Sequence, residues 1–334
     1  MIQSIKDFFS IAFKVITILI SLVAKSIGWL IMNYRNGMSN SMTCLKGKTA
    51  IVTGGNSGVG YMTAMLLASR GCKVIIACRR NAEKQINEIK EATNNPNITY
   101  KHLDLCRFSS VRQFAESIKK EESKIDILIN NAGIAFSDEI ETEDGVAPAM
   151  QANFLGHFLL THLLIDLLKS ADEGRIVFLS SALSGFQNIT AKKLYPIRPV
   201  TMDIHFENYS NSKGCTVIVA QEMAKKLGKY KIKVNAADPG ASVTPIFDTL
   251  EGEEIDKTAY RIAFKIMTFL VATDLLKAAQ TPFHLATSKE ILNGAHYFRC
   301  VPLQKPKQLD DEHFCEEIWR ESEKIVRLRP EERL

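Results

Sequence analysis

From Leu45 onward, short apolar runs alternate with helical patterns, and this alternation leaves the chain few architectures. The runs are "TAIVT" (49–53), "KVIIA" (73–77), "ITYKHLD" (98–104), "DILI" (126–129), "RIVFLS" (175–180) and "IKVNAA" (232–237). Helical patterns between them include 58–69, 81–93, 108–120, 146–169 and 209–228. Strands with continuous apolar runs are buried on both faces, so the pattern predicts an α/β fold, a doubly wound parallel sheet with helices on either side. Such a sheet binds ligands at the carboxyl ends of its strands. The first run ends in "TGGNSGVG" (53–60), whose glycines permit a tight turn and let main-chain N–H groups approach a pyrophosphate. Ordinary turns and caps use the same residues; the position between a strand and a helix gives the motif its weight.

The net charge of +5 is not spread over this domain. Residues 1–48 hold six basic residues against Asp7 alone, so the remainder is neutral. A nucleic-acid binder would carry its basic patch on the folded domain, and none is expected here. The excess lies beside an apolar stretch, "FFSIAFKVITILISLVAKSIGWLIM" (8–32), about 37 Å long as a helix. A polar stripe through Gln3, Asp7, Ser10, Lys14, Thr17, Ser21, Lys25 and Gly28 recurs at steps of three or four. The stretch is expected to bind a membrane, lying in the interface or spanning obliquely with its lysines snorkelling. A cleaved signal peptide or a helix packed on the domain are the other readings; the small-x-small site at Ser26-Ile27-Gly28 is followed by still apolar residues. Residues 1–43 thus read as anchor and linker, 44–300 as the nucleotide-binding domain and 301–334 as a charged tail.

Seven cysteines form no C-x-x-C pair, and the histidines lack zinc-type spacing, so no metal site is expected. The cysteines read as reduced, mostly buried small hydrophobes, so a cytosol-facing domain is expected.

"NYSNSK" (208–213) carries two signals that exclude each other. Asn208-Tyr209-Ser210 has the form of a glycosylation acceptor, whereas Tyr209 and Lys213 lie one helical turn apart as an acid-base pair that a glycan would block. A cation one turn away favours the phenolate and is expected to bring the tyrosine's pKa of about 10 toward the working range. With a reducing compartment, the sequons at Asn97, Asn188 and Asn208 are expected to stay unused.

The order of motifs resembles the short-chain dehydrogenases/reductases over roughly residues 47–300. The matches are the T-G-x-x-x-G-x-G turn at 53–60, "HLDL" at 102–105, "NNAG" at 130–133, "QANFLGHF" at 151–158, "FLSS" at 178–181, Tyr209-x-x-x-Lys213 and "DPGASVT" at 238–244. "ACRR", "NFLGHFLLTHLL" and "GAHYF" look most like the membrane-associated retinal reductases. The resemblance implies a Rossmann-like domain and a catalytic set of Asn153, Ser181, Tyr209 and Lys213. Tyr209 would protonate the carbonyl oxygen as hydride arrives, Ser181 would hydrogen-bond that oxygen, Lys213 would hold the nicotinamide ribose, and Asn153 would anchor a relay water. Cofactor contacts would come from Gly54, Asn56, Ser57, Gly58, Val59 and Gly60, from Asp104 and Leu105, from Asn131 and Gly133, and from Pro239, Gly240 and Thr244. Two residues depart from the pattern: Asp238 stands where the similar reductases often have His, and Ser242 replaces a common Val.

Family members that use NAD place a carboxylate at the end of the second strand, where this chain has Cys78 followed by Arg79 and Arg80. A planar guanidinium suits a 2′-phosphate, so the expected cofactor is NADP(H), and the expected direction is carbonyl reduction. The long connection from Ser181 to Tyr209 and the apolar stretch 259–276 are expected to wall an apolar pocket; core packing explains the latter equally well. The expected substrate is a lipid-like carbonyl: a retinoid, isoprenoid, steroid or fatty aldehyde. The host membrane would be the endoplasmic reticulum or a lipid droplet; oligomeric state is left open. A catalytically silent nucleotide-binding scaffold is the other class, and it predicts gaps in the Asn, Ser, Tyr, Lys set that this sequence does not show.

Overall fold

The computed structural model describes residues 12–17, 20, 37–135, 137, 139–196, 201–240, 242, 262, 266, 273–304 and 306–334. The described strands form one sheet in the order β3-β2-β1-β4-β5-β6-β7-β8. They are β1 (Thr49–Thr53), β2 (Lys73–Cys78), β3 (Ile98–His102), β4 (Ile127–Asn130), β5 (Gly174–Leu179), β6 (Ile232–Asp238), β7 (His296–Phe298) and β8 (Val301–Pro302). All neighbours pair parallel except β7 and β8. Each of the six expected runs is a strand, with ends displaced by no more than two residues. Chain order reverses between β1 and β4, the switch point beside which α/β sheets bind nucleotides.

Continuous apolar strands are explained by two cores, one on each face. Ile51, Ile75, Leu128, Ile176 and Phe178 point to one, while their neighbours Val52, Ile76, Ile129, Val177 and Leu179 point to the other. Helices α3 (Phe108–Glu121), α4 (Gly156–Lys169), α5 (Met202–Lys226) and α8 (Glu312–Ile325) cover the first face. Helices α1 (Gly58–Ser69), α2 (Glu83–Thr93), α6 (Leu275–Ala278) and α7 (Gln280–Thr287) cover the second.

Three elements differ from the sequence reading. Helix α5 begins seven residues before Tyr209, because Thr201 caps it by accepting the Ile204 N–H at 3.3 Å. The connection from Ser181 to Tyr209 is correspondingly shorter and contains two 3₁₀ turns, Ala182–Phe186 and Ala191–Leu194. The stretch 301–334, expected as a charged tail, is part of the fold. Asp311 caps α8, whose Cys315, Ile318, Trp319 and Ser322 are buried. Trp319 meets Phe158 edge-on at 5.0 Å and His162 at 5.3 Å, both from α4, while its Nε1 donates to Glu323. The charges that suggested a tail occupy the opposite face of this helix.

Residues 37–43, part of the stretch read as linker, lie as a strap along α7. The Cys300 thiol donates to the Gly37 carbonyl at 3.4 Å, the Ser39 N–H to Gln280, and the Thr43 hydroxyl to the Thr287 carbonyl at 2.9 Å. A Cβ on Gly37 would stand 2.5 Å from that of Arg299, so only glycine fits this close approach to the β7–β8 turn. Residues 12–17 and 20 are helical. Among the described residues no helix is long and apolar enough to cross a membrane. The rest of the expected anchor, and most of 259–276, lie outside the described residues.

Candidate active site

Parallel pairing aligns the carboxyl ends of β1, β4, β5 and β6, and the turns that follow bring most of the expected residues to one edge. After β1, Gly54 takes φ +65, and a Cβ there would lie 2.9 Å from the Ala132 Cα. A Cβ on Gly60 would come within 2.5 Å of the Gly54 carbonyl and closer still to Asn131, whose Nδ2 donates to the Thr53 carbonyl at 2.7 Å. Ser57 precedes α1 in extended geometry without a side-chain cap bond, so the first N–H groups of the helix face the turn. Side chains of this size would fill the cradle that glycine leaves, which suits a pyrophosphate on the helix N-terminus.

The Thr53 hydroxyl holds the turns of β1 and β4 together. It accepts the N–H groups of Asn131 at 2.8 Å and Ala132 at 3.0 Å. Its own proton goes to His157 Nε2 at 2.8 Å, in preference to the Ile129 carbonyl at 3.3 Å. His157 Nδ1 lies 3.1 Å from the Asn153 carbonyl, which can only accept, so Nδ1 is the protonated nitrogen. Burial holds the imidazole neutral, pushing its pKa down to about 3. Sequence reasoning missed His157; its signal was the four-residue spacing from Asn153, which places both on one helix face.

Asn153 sits in a π-helical turn, Gln151–Leu155, between Pro148–Met150 and α4. Its side chain accepts the Ile134 N–H at 2.8 Å and donates to the Ile134 carbonyl and to Ser212 Oγ, each at 2.9 Å. The widened turn aims an amide at a loop backbone, which a regular helix there would not do. Ser212 in turn donates to the Tyr209 carbonyl at 2.7 Å.

Tyr209 and Lys213 are buried one turn apart on α5. Lys213 Nζ donates to the Leu179 carbonyl at 2.9 Å, lies 5.8 Å from the Tyr209 ring centroid, and would stand 3.3 Å from a Cβ on Gly133. Ser180 Oγ donates to the Lys213 carbonyl at 2.9 Å, pinning α5 to β5. Ser181 accepts the Leu183 N–H at 3.2 Å and is hydrogen-bonded to the Tyr209 hydroxyl. Here the structure corrects one expectation: the lysine does not bring the phenol toward neutral pKa. Burial dominates and pushes Tyr209 up to about 12, against the Ser181 hydrogen bond, while the same burial pushes Lys213 down to about 8. At neutral pH the phenol therefore keeps its proton, the form needed to donate to an alkoxide, which is a stronger base than a phenolate.

Other expected residues lie along the same edge. Arg79 and Arg80 follow β2, exposed, and among the described residues neither guanidinium is paired. Asp104, after β3, accepts the Cys106 N–H at 3.0 Å, and Leu105 is buried with its carbonyl against Gly156. Gly240, φ +76, follows Pro239, whereas Thr244 lies outside the described residues. Asn208 is buried within α5 and its Oδ1 is unpartnered, so the folded protein has no room for a glycan there.

The model for short chain dehydrogenase matches residues 48–196. Retinol dehydrogenase 13 of Homo sapiens is 34% identical over 299 residues, covering 87% of this chain and 88% of that protein. The chain belongs to the short-chain dehydrogenase family. Retinol dehydrogenase 11 of Homo sapiens is 32% identical, over 85% of this chain and 87% of that protein. A crystal structure of a Mycobacterium paratuberculosis protein superposes with TM-score 0.65 at 26% identity, covering 85% of this chain and 95% of that one. A short chain dehydrogenase from Shigella flexneri, solved in complex with NADP, has the same fold, with TM-score 0.58 at 22% identity over 77% of this chain and 99% of that one. The protein is thus a short-chain oxidoreductase related to the retinol dehydrogenases, a family that uses NAD(P), and its glycine cradle fits such a cofactor.

Proposed function

We propose that this short-chain dehydrogenase is an NADPH-dependent reductase of lipid-like aldehydes or ketones, held at a membrane by its N-terminal segment. One observation carries the reading: Tyr209 is buried and hydrogen-bonded to Ser181, with Lys213, also buried, one turn along the same helix. Bound NADPH would supply the hydride. Ser181 would orient the substrate oxygen, Tyr209 would give its proton to that oxygen, and Lys213 would replenish the phenol's surroundings with charge and hold the ribose. The names of the related retinol dehydrogenases support an alcohol–aldehyde pair on an apolar chain, of the retinoid or isoprenoid type.

Arg79 and Arg80, exposed and without an ion-pair partner among the described residues, stand beside Cys78 rather than a carboxylate and support NADPH over NADH. Arg79→Ala should weaken NADPH at least tenfold and leave NADH nearly unchanged, since a charge-assisted bond contributes about 1.5–3 kcal/mol. Cofactor fluorescence titrations check this; equal loss for both cofactors, or a wild-type preference for NADH, defeats the assignment.

The apolar stretch 8–32 and the concentration of positive charge within residues 1–48 support a membrane-bound, cytosol-facing enzyme of the endoplasmic reticulum or lipid droplet. Removing residues 1–36, which leaves the strap in place, should move the protein to the soluble fraction and preserve reduction of a small water-soluble carbonyl. If the shortened protein still pellets with membranes after a high-salt wash, the anchor lies elsewhere.

A further inference from the structure

Two buried histidines of α4 each turn Nδ1 to a carbonyl one turn back, His157 to Asn153 at 3.1 Å and His162 to Phe158 at 2.8 Å. Their second nitrogens separate them. His162 Nε2 has no hydrogen-bond partner among the described residues, and its ring rests on Phe158 and Trp319. His157 Nε2 instead accepts the Thr53 proton at 2.8 Å. One bond given and one received fit only a neutral imidazole that carries its proton on Nδ1. Thr53 spends its lone pairs on the Asn131 and Ala132 N–H groups, so a single proton is left to direct, and the Ile129 carbonyl at 3.3 Å is the weaker target. The His157 carbonyl also accepts the Thr161 hydroxyl at 2.8 Å, which in turn accepts Asn130 Nδ2 at 3.0 Å. Helix α4 therefore grips the end of β4 along two lines, and both start at His157.

We propose that His157 is a positioning residue that ties the glycine cradle to the π turn. Through Nε2 it sets the Thr53 hydroxyl around which the β1 and β4 turns are built, and through Nδ1 it holds the Asn153 carbonyl. The first contact bears on cofactor binding. A Cβ on Gly54 would already stand 2.9 Å from the Ala132 Cα, so a small movement of Ala132 changes the shape of the cradle. The second contact bears on the catalytic pair. Asn153 Nδ2 donates to Ser212, which donates to the Tyr209 carbonyl, and a Cβ on Gly133 would lie 3.0 Å from Asn153 Oδ1 and 3.3 Å from Lys213 Nζ. A rotation of the π turn thus reaches both Tyr209 and Lys213.

The inference rests on the carbonyl-reductase reading for its effect on turnover, but not for its effect on cofactor binding. His157→Asn puts an amide near the Nδ1 position, within reach of Asn153 and short of Thr53. His157→Gln reaches the Nε2 position and can accept from Thr53, but it releases Asn153. His157→Phe keeps a ring and loses both contacts. NADPH dissociation constants by fluorescence, kcat for the best carbonyl and thermal midpoints are measured on full-length protein, with His162→Gln as the comparison. NADPH is expected to bind about three- to tenfold more weakly to the Asn and Phe variants and nearly as in wild type to the Gln variant, the effect of one ordinary hydrogen bond. In kcat the pattern is expected to reverse, with a fall of similar size in the Gln and Phe variants and little change in the Asn variant. His162→Gln should move the thermal midpoint alone. Lower midpoints with unchanged dissociation constants and kcat would leave His157 a packing role and overturn the proposal. Equal losses in the Asn and Gln variants would overturn it as well. Should His157→Phe fail to fold, the Asn and Gln pair still decides the matter. A divided NADPH affinity in a protein that reduces no carbonyl supports the proposal and overturns the functional reading instead.

Discussion

Tyr209→Phe is expected to lower turnover of the best carbonyl substrate by roughly 10²–10⁴-fold, the usual contribution of a positioned general acid, while NADPH binds almost as before. The substitution removes one oxygen from a buried ring that is otherwise held by packing, so α5 should be undisturbed. It also leaves Ser181 without its phenolic partner, but Ser181 keeps the Leu183 N–H. The fall should thus appear in kcat and kcat/KM together, as expected when a group acts in the transition state and contributes little to ground-state binding. Steady-state kinetics paired with cofactor titration check both halves. Near-normal reduction by the phenylalanine protein would remove Tyr209 from the chemistry.

Trp319→Ala should cost about 3–5 kcal/mol of folding stability, the range for deleting a large, fully buried aromatic side chain. Trp319 is among the largest buried side chains and fills the space between α8 and α4 against Phe158 and His162. Glu317→Ala, on the exposed face of the same helix, should change stability by less than about 0.5 kcal/mol. Denaturant unfolding of the two variants beside wild type makes the comparison. If both were neutral, residues 312–325 would be an appendage rather than part of the core.

The contrast between these two regions shows what the chain made legible. Strands β1, β2, β4, β5 and β6 could be read because each is buried on both sides, so their apolar runs are unbroken and bounded by turns, whereas β3 is the sheet's edge strand and buries only Ile98. Tyr209 and Lys213 could be read because a four-residue spacing fixes their relation in any helix. Helix α8 was less visible: its apolar positions, Phe314, Cys315, Ile318, Trp319 and Ile325, recur at helical steps but are outnumbered by charges on the other face. The π turn around Asn153 is not written locally at all, since it depends on the Ile134 backbone arriving from β4. Nor could spacing tell how strongly burial would act on Tyr209, because desolvation is set by every element that packs around α5. Asp238 was noticed only as a departure. Its burial beside the Gly240 turn is set by the fold and not by spacing.

The strap also sets a heading. Gly37 lies against Arg299, directly after β7, and β7 ends level with Asp238, so the chain enters the domain at the same rim as the catalytic turns. Four residues separate Met32 from Gly37, a leash of no more than about 18 Å, whereas a folded unit of this size is roughly 50 Å across. Whatever surface residues 8–32 engage is therefore kept near that rim and cannot be reached by the opposite end of the sheet. If residues 8–32 hold the domain at a membrane, as proposed, it would sample substrate by short lateral excursions across that surface, and the search would become nearly two-dimensional.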